Sequence, residues 1–361
     1  MKVMTVLGTR PEIIRLSRII PLLDRFCQHR LINTGQNFDK NLNLLFFKEL
    51  NIRPADYFLN VRSKSSMEQI GQILHQCAKI FKKEKPDRLL VLGDTNSALS
   101  AIAAKRLGIT VMHLEAGNRC FDDRVPEEIN RRIVDHSSDL WLSYTERSRA
   151  NLLREGIPGQ RIYVTGNPIK EVLDHYEPAI KKSRMLVKLD LTAQKYFLVT
   201  LHRTENVDVK SRLKKVLKAL NLLQREYQQP IVCSLHPRTG SQIAKLKKIK
   251  IADGIRFIEP PGFFDFVNLE KHARCVLTDS GPVQEECCIF RVPNVTLRDV
   301  TERPESIERG SSIITGNEPE SIIQSVGIVL TQSSNWTIPA EYLETQVSST
   351  VAKIILSVMP A

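Results

Sequence analysis

Three carboxylates and one histidine stand where they could move protons. Asp94 follows the apolar run Arg88–Leu92, and Glu115 follows Thr110–Leu114, so both end expected strands. Two nearby carboxylates in unequal surroundings are the usual equipment for general acid and base work. Glu127 comes directly after Pro126 and falls in the first turn of an expected helix. The helix dipole favours a carboxylate there, so capping is its alternative role. His202 ends another strand beside Arg203 and is the fourth catalytic candidate, whereas His113 lies inside a strand and is expected to be packed.

A second group could hold an anion. Ser280-Gly281 opens the expected helix Pro282–Ile289 and would present backbone N–H groups and the positive end of a dipole. Arg10 and Arg303 could add charge-assisted bonds to phosphate, with a surface helix cap as the alternative for Arg303. His236, in His236-Pro237-Arg238, is a further phosphate candidate. No G-x-G-x-x-G follows the first strand and no G-x-x-x-x-G-K-[ST] occurs, so neither a dinucleotide site nor a nucleotide-hydrolysing loop is supported. The seven cysteines form no C-x-x-C pair, and the eight histidines show no metal spacing. No metal site and no disulfide framework are expected, and reduced thiols fit a cytoplasmic protein.

The elements that must carry these residues alternate. Val3–Leu7, Arg30–Asn33, Arg88–Leu92, Thr110–Leu114, Leu140–Ser143 and Arg161–Val164 read as strands, with helical patterns between them, the first over Glu12–Phe26. The pattern restarts after a helical and polar stretch, with strands at Tyr196–Leu201, Ile231–Leu235, Arg256–Ile258, Cys275–Leu277 and Asn294–Thr296. This alternation predicts α/β architecture with two doubly wound parallel sheets. One domain is expected over residues 1–168 and the second over 169–343, with a helix near 344–361 packing back on the first. Polar clusters follow strand after strand: Gly8-Thr9-Arg10, Thr34-Gly35-Gln36, Gly93-Asp94-Thr95-Asn96, Glu115-Ala116-Gly117, His202-Arg203 and Asp279-Ser280-Gly281 among them. Ligands bind at such carboxyl ends in open α/β sheets, so an interdomain cleft is expected.

Composition narrows the partners. The chain has 361 residues, 42% hydrophobic and 25% charged, with a formal net charge of +12. The charge alone invites nucleic acid. Yet the lysines fall in helix-like stretches such as Lys79–Lys85 that read as solvated faces, without interleaved aromatics. An anionic phosphate substrate explains the sign equally well, and nucleic acid is not expected. No stretch approaches a membrane span, and Val3–Gly8 is too short for a signal-peptide core, so no membrane association is expected.

Together the motifs resemble one family, the non-hydrolysing UDP-N-acetylglucosamine 2-epimerases, over nearly the whole chain. The resemblance rests on Gly8-Thr9-Arg10-Pro11-Glu12, Gly93-Asp94-Thr95, Glu115-Ala116-Gly117-Asn118-Arg119, Pro126-Glu127-Glu128-Ile129-Asn130-Arg131, Thr165-Gly166-Asn167, His202-Arg203, Thr278-Asp279-Ser280-Gly281 with Gln284-Glu285-Glu286, and Thr301-Glu302-Arg303-Pro304-Glu305. It implies the glycosyltransferase-B arrangement of two Rossmann-like domains, a homodimer, and a UDP-linked N-acetylated amino sugar as substrate. It also implies a reaction without cofactor: UDP leaves C1 as the C2 proton is lost, a 2-acetamidoglycal forms, and both return with the proton on the other face. On this resemblance Asp94, Glu115 and Glu127 match the acid/base set and His202 the histidine near the leaving phosphate. Arg10, His236, Ser280, Gly281, Glu286 and Arg303 match UDP-binding positions, Glu286 at the ribose. Arg15 joins the substrate-binding set where a lysine is common.

There are departures. Gln36-Asn37-Phe38-Asp39 stands where many members carry Gln-His, and Pro282 replaces the second glycine of a usual Ser-Gly-Gly. The residues around Asn37, Asn96 and Asn118 look more like a subgroup forming UDP-N-acetyl-L-fucosamine, whose substrate is a 6-deoxy sugar nucleotide. C2 inversion of UDP-N-acetylglucosamine to UDP-N-acetylmannosamine is therefore the leading expectation, and inversion of the 6-deoxy isomer the alternative. A glycosyltransferase of the same fold is the more distant one; three carboxylates argue against it, since transfer needs at most one base.

Overall fold

The computed structural model describes residues 1–36, 40–61, 63, 65–246 and 249–357. Asn37, Phe38 and Asp39, which carry one of the departures, lie outside the described residues. The chain divides into unit 1, Met1–His175 with Ala340–Ala361, and unit 2, Tyr176–Pro339.

Unit 1 is built on seven parallel strands: β1 (Lys2–Leu7), β2 (Gln28–Asn33), β3 (Tyr57–Phe58), β4 (Arg88–Leu92), β5 (Thr110–Leu114), β6 (Leu140–Ser143) and β7 (Ile162–Val164). Their order is β3-β2-β1-β4-β5-β6-β7. Strands covered on both faces must be apolar on both, and Leu89, Leu90 and Val91 are all fully buried. Arg88 opens the same strand and donates to the carbonyls of Ile355 and Ser357. It thereby fixes the end of the last helix, Val347–Leu356, which packs on the helix Ile19–Phe26. The sheet order reverses between β1 and β4, which makes the loops after those two strands the switch point where α/β ligands bind.

Unit 2 carries six parallel strands: β8 (Phe197–Leu201), β9 (Ile231–Leu235), β10 (Ile255–Ile258), β11 (Cys275–Thr278), β12 (Asn294–Thr296) and β13 (Ser312–Ile314). The order β10-β9-β8-β11-β12-β13 reverses between β8 and β11. Its core joins Phe197, Val199, Leu217, Leu220 and Val295 on one face of the sheet. The expected fold class, two doubly wound parallel sheets, is the observed one. Among the described residues no helix is long and apolar enough to cross a membrane.

Two local expectations need correction. The helix expected over Glu12–Phe26 is two helices, Arg10–Leu16 and Ile19–Phe26. Pro21 has no N–H to donate to the Ser17 carbonyl, and its ring would strike that carbonyl in a continuous helix, so the break falls just before it. The short strands β3 and β13, of two and three residues, carry no periodic signal and were not expected.

Candidate functional site

In unit 1 the two switch-point loops are tied together by one buried carboxylate. Glu12 is 1% exposed. Its Oε2 accepts from the backbone N–H groups of Gly8 (2.9 Å) and Thr9 (2.7 Å) and from the Thr9 hydroxyl (2.8 Å). Its Oε1 accepts from the Thr95 hydroxyl of the β4 loop at 3.0 Å. The Thr-x-x-Glu spacing of Thr9 and Glu12 forms a capping box at the start of the helix Arg10–Leu16. Burial pushes Glu12 from the ordinary 4.5 up to about 7, against the opposing pull of these donors.

Between 4.5 and about 7 the folded chain keeps a proton on Glu12 that the unfolded chain has lost. Stability therefore falls as pH rises through that window. The shift corresponds to about 3 kcal/mol for a fully buried group. In Glu12→Gln the carboxamide oxygen keeps the cap and the NH2 meets Thr95, with nothing to titrate. Urea unfolding at pH 5 and pH 8 should show wild type losing on the order of 3 kcal/mol relative to this variant. A pH-independent difference would rule the titration out.

The three candidate carboxylates meet around the β4 loop. Asp94 pairs with Arg131 through Oδ2 and Nη2 at 2.6 Å. Asn130 donates to the Asp94 carbonyl at 2.9 Å. Glu127 lies half-buried three and four residues before Asn130 and Arg131 on the helix Pro126–His136. That spacing puts all three on the helix face turned to Asp94. Glu115 comes from the adjacent strand β5 and is 7% exposed. Its φ is +72°, a left-handed value that strains a non-glycine residue by on the order of 1–3 kcal/mol. The turn is held by Glu115 N–H to the Leu142 carbonyl (2.9 Å) and by Asn118 Nδ2 to Glu115 Oε1 (3.1 Å). Gly93 is favoured by its φ of +67°, and a Cβ there would be in ordinary contact with Glu115 Oε2 at 3.5 Å. The Glu115 carboxylate thus hangs over the residue preceding Asp94. Arg15, 3% exposed, lies 3.7 Å from Glu115 Oε2 through Nη1 and stacks on the Tyr144 ring at 5.8 Å. Arg10 opens the same helix and lies over the Phe46 ring at 5.8 Å.

Behind these residues is a buried scaffold. His113 meets Asp135 through Nδ1 (2.7 Å) and the Gly93 carbonyl through Nε2 (2.9 Å), so it is packed as expected but also bridges β4 and β5. Burial would raise Asp135, but His113 and Arg119 outweigh it and hold the carboxyl below its ordinary range. Glu128 accepts from the N–H groups of Cys120 and Phe121 at 3.0 Å each and pairs with Arg131 at 2.6 Å. It anchors the loop after Glu115 to the helix bearing Glu127.

In unit 2, β8 and β11 end side by side. Asp279 is fully buried and accepts from the His202 N–H (3.1 Å), the Arg203 N–H (3.0 Å) and Asn206 Nδ2 (3.2 Å). Its carboxylate also faces His202 Nδ1 at 3.0 Å. Burial would raise Asp279, yet His202 and these donors hold it below the ordinary range. An anion on Nδ1 leaves the other imidazole nitrogen directed away from Asp279. Ser280 is the N-cap of the helix Gly281–Phe290, with Pro282 in its first turn. Gly281 lies close to Glu302: a Cβ there would lie 2.7 Å from Glu302 Oε1, and that side chain would have to shift. Glu302 binds Arg298 at 2.7 Å and lies 3.4 Å from Arg203. Arg303 takes the N-cap position of the short helix Pro304–Glu308, but its side chain makes no cap bond there; it is 4% exposed, paired with Glu285 and beside Gly281. His236 caps the helix Pro237–Ala244, its Nδ1 accepting from the Arg238 N–H at 3.3 Å, which places its proton on Nε2. Glu286 lies further along the Ser280-capped helix and is 5% exposed.

The structure therefore brings Glu115 to Arg15 and over Gly93, next to Asp94, with Glu127 one helical turn ahead of the residues that hold Asp94, and separately sets His202 on Asp279 and Arg303 beside Gly281. Glu12, Arg131 and Asp279 were not singled out from sequence. Glu12 had a signal in its capping-box spacing from Thr9 and Asp279 in its strand-end cluster, whereas Arg131 had none. Among the described residues no group of three His, Cys, Asp or Glu side chains could hold a metal ion.

Comparison with known proteins agrees on one family. A family model described as UDP-N-acetylglucosamine 2-epimerase matches residues 23–356. The protein named UDP-N-acetylglucosamine 2-epimerase from Methanocaldococcus jannaschii is 44% identical over 347 residues, 94% of this chain and 95% of that one. A crystal structure of the epimerase from that organism, in complex with UDP-GlcNAc and UDP, superposes with a TM-score of 0.93 at 41% identity, over 98% of this chain and 99% of that one. A UDP-2,3-diacetamido-2,3-dideoxy-D-glucuronate 2-epimerase from Pseudomonas aeruginosa is 35% identical over 331 residues, 90% of this chain and 91% of that one.

Proposed function

The chain belongs to the UDP-N-acetylglucosamine 2-epimerase family, and from that premise we propose that it interconverts UDP-N-acetylglucosamine and UDP-N-acetylmannosamine. The observation that carries the reading is the Glu115 carboxylate over Gly93, beside Asp94 and the Glu127 helix face. A C2 hydrogen that is not α to a carbonyl is too weakly acidic for a carboxylate alone. Cleavage of C1–O must run ahead, so that UDP departs with the bonding electrons while the C2 proton passes to a carboxylate. The resulting 2-acetamidoglycal then takes a proton on the opposite face of C2 and UDP at C1. Two faces need more than one acid/base group, which is what Asp94, Glu115 and Glu127 supply. The developing diphosphate charge needs donors already in place. His202 held by Asp279, the N–H groups at Ser280-Gly281, His236, Arg10 and Arg303 fill that role, and Glu286 takes the ribose. Arg15 steadies the Glu115 carboxylate. The reading includes a homodimer in the cytoplasm and no cofactor.

The alternative substrate, a 6-deoxy isomer, rests on the residues around Asn37, Asn96 and Asn118, of which Asn37 lies outside the described residues. Asn118 is engaged by Glu115 and Ser148, and Asn96 by Gln69 and Asn130. These contacts account for both side chains without a sugar. The Pseudomonas aeruginosa relative is named for a uronate, so the choice of sugar is still the point to test. Incubation in D2O followed by proton NMR should place deuterium at C2 of both epimers when UDP-N-acetylglucosamine is supplied. Exchange only with the 6-deoxy nucleotide would move the substrate, and no exchange with either would overturn the proposal.

A further inference from the structure

Unit 2 buries a second carboxyl group behind the one read as a ribose contact. Glu270 lies on the helix Phe263–Lys271 and is fully buried. Its carboxyl group faces that of Glu286 on the neighbouring helix Gly281–Phe290, and its Oε2 is buried with no donor of its own. Two carboxylates have no proton to donate, so a hydrogen bond between them requires that the pair retain one. On its other side Glu270 Oε1 accepts from the Cys287 thiol at 3.3 Å.

The surroundings decide where the proton sits. Three helices pack on that of Glu270. Ile169–Lys181 meets it through Tyr176 on the Phe264 ring, the Ile180 carbonyl accepting from Asn268, and Glu177 paired with Lys271. Gly281–Phe290 contributes Glu286 and Cys287, while Met185–Lys188 turns Met185 and Leu186 inward and leaves Arg184 and Lys188 exposed. Tyr196, ahead of β8, gives its hydroxyl to the Leu269 carbonyl. On Glu270's own helix, Lys271 turns away to Glu177 and the Phe290 ring. Burial and then the charge of Glu286 raise Glu270 well above the ordinary carboxyl range. Burial, and after it Glu270, likewise raises Cys287, which stays a thiol. Glu286 keeps an exposed edge and Glu270 none.

We propose that Glu270 is a positioning residue for the nucleotide: its O–H donates to Glu286 and holds that carboxylate ready to accept from the vicinal hydroxyls of a ribose. The chain of donors runs from the Cys287 thiol to Glu270, from Glu270 to Glu286, and from the ribose to Glu286. Each link polarises the next. The inference rests on the reading of Glu286 as the ribose contact.

Calorimetric titration of UDP and 2′-deoxy-UDP into the full chain, from pH 7 to pH 10, tests both levels. Glu270→Gln keeps a donor toward Glu286 and cannot ionise, so it should bind UDP as wild type does at pH 7. As pH rises, wild type should weaken relative to Glu270→Gln. The ratio of the two dissociation constants cancels the titration of UDP itself. Glu270→Leu removes the donor and should lose roughly tenfold in UDP affinity, together with the preference for UDP over 2′-deoxy-UDP. A wild-type to Glu270→Gln ratio that stays constant to pH 10 overturns the role of Glu270. If Glu286→Gln binds UDP and 2′-deoxy-UDP as wild type does, the ribose reading beneath it fails instead.

Discussion

Glu115→Gln should lower the rate of C2 inversion by roughly 10²–10⁴-fold, the range expected when a positioned acid/base group is removed. The substitution is nearly isosteric at a site that is 7% exposed, so the packing survives. The carboxamide oxygen can still accept from Asn118, while residues 117–121 stay anchored through the Gly117 N–H to Asp135 and the Cys120 N–H to Glu128. What is lost is the basic oxygen that faces Arg15 and overhangs Gly93. The comparison that isolates this is deuterium exchange at C2 against UDP affinity in one preparation. Exchange should collapse while UDP still binds, because the diphosphate donors assigned to unit 2 are untouched. Undiminished exchange would mean that Glu115 is only the strained end of β5 and that Asp94 and Glu127 do the proton work without it.

The fold was legible because its rule is short. Parallel strands buried on both faces must be apolar runs, and the polar residues ending them have few places to go but the ligand side. Asp94, Glu115, His202 and Ser280 could be located in this way from sequence alone. Their partners could not. Arg131 reaches Asp94 from a helix 37 positions further on, and Asp279 reaches His202 across 77 positions. Nothing local in the sequence marks either pairing, since each depends on which strands become neighbours. Glu12 is the intermediate case: its spacing from Thr9 announces a helix cap, but its bond to Thr95 exists only because β4 lies next to β1. The same limit applied to Asn96 and Asn118. Their identities suggested a sugar preference, and the structure shows side chains engaged by neighbouring helices, Asn96 by Gln69 and Asn118 by Ser148.

Asp279→Asn should cost roughly 10²–10³-fold in kcat, the size of effect seen when one preorganised donor to a developing oxyanion is lost. The buried carboxylate does two things at once. It accepts from two successive backbone N–H groups, fixing the turn after β8, and it faces Nδ1 of His202. Held below the ordinary carboxyl range despite burial, it accepts from Nδ1–H and so fixes the orientation of the imidazole proposed to meet the departing phosphate. Asparagine presents one oxygen and one NH2 to a site that offers donors on every side. Some donor must go unpaired, at about 1–3 kcal/mol of stability. Loss of stability alone cannot separate the two roles, but a double-mutant cycle can. If Asp279 acts through the imidazole, then once His202 is replaced by Asn, adding Asp279→Asn should lower kcat little further. Additive losses would show that Asp279 shapes the turn and nothing more. An unchanged kcat in the single variant would remove His202 from the leaving-group role, leaving the diphosphate charge to the N-terminus of the Gly281–Phe290 helix and the buried arginines.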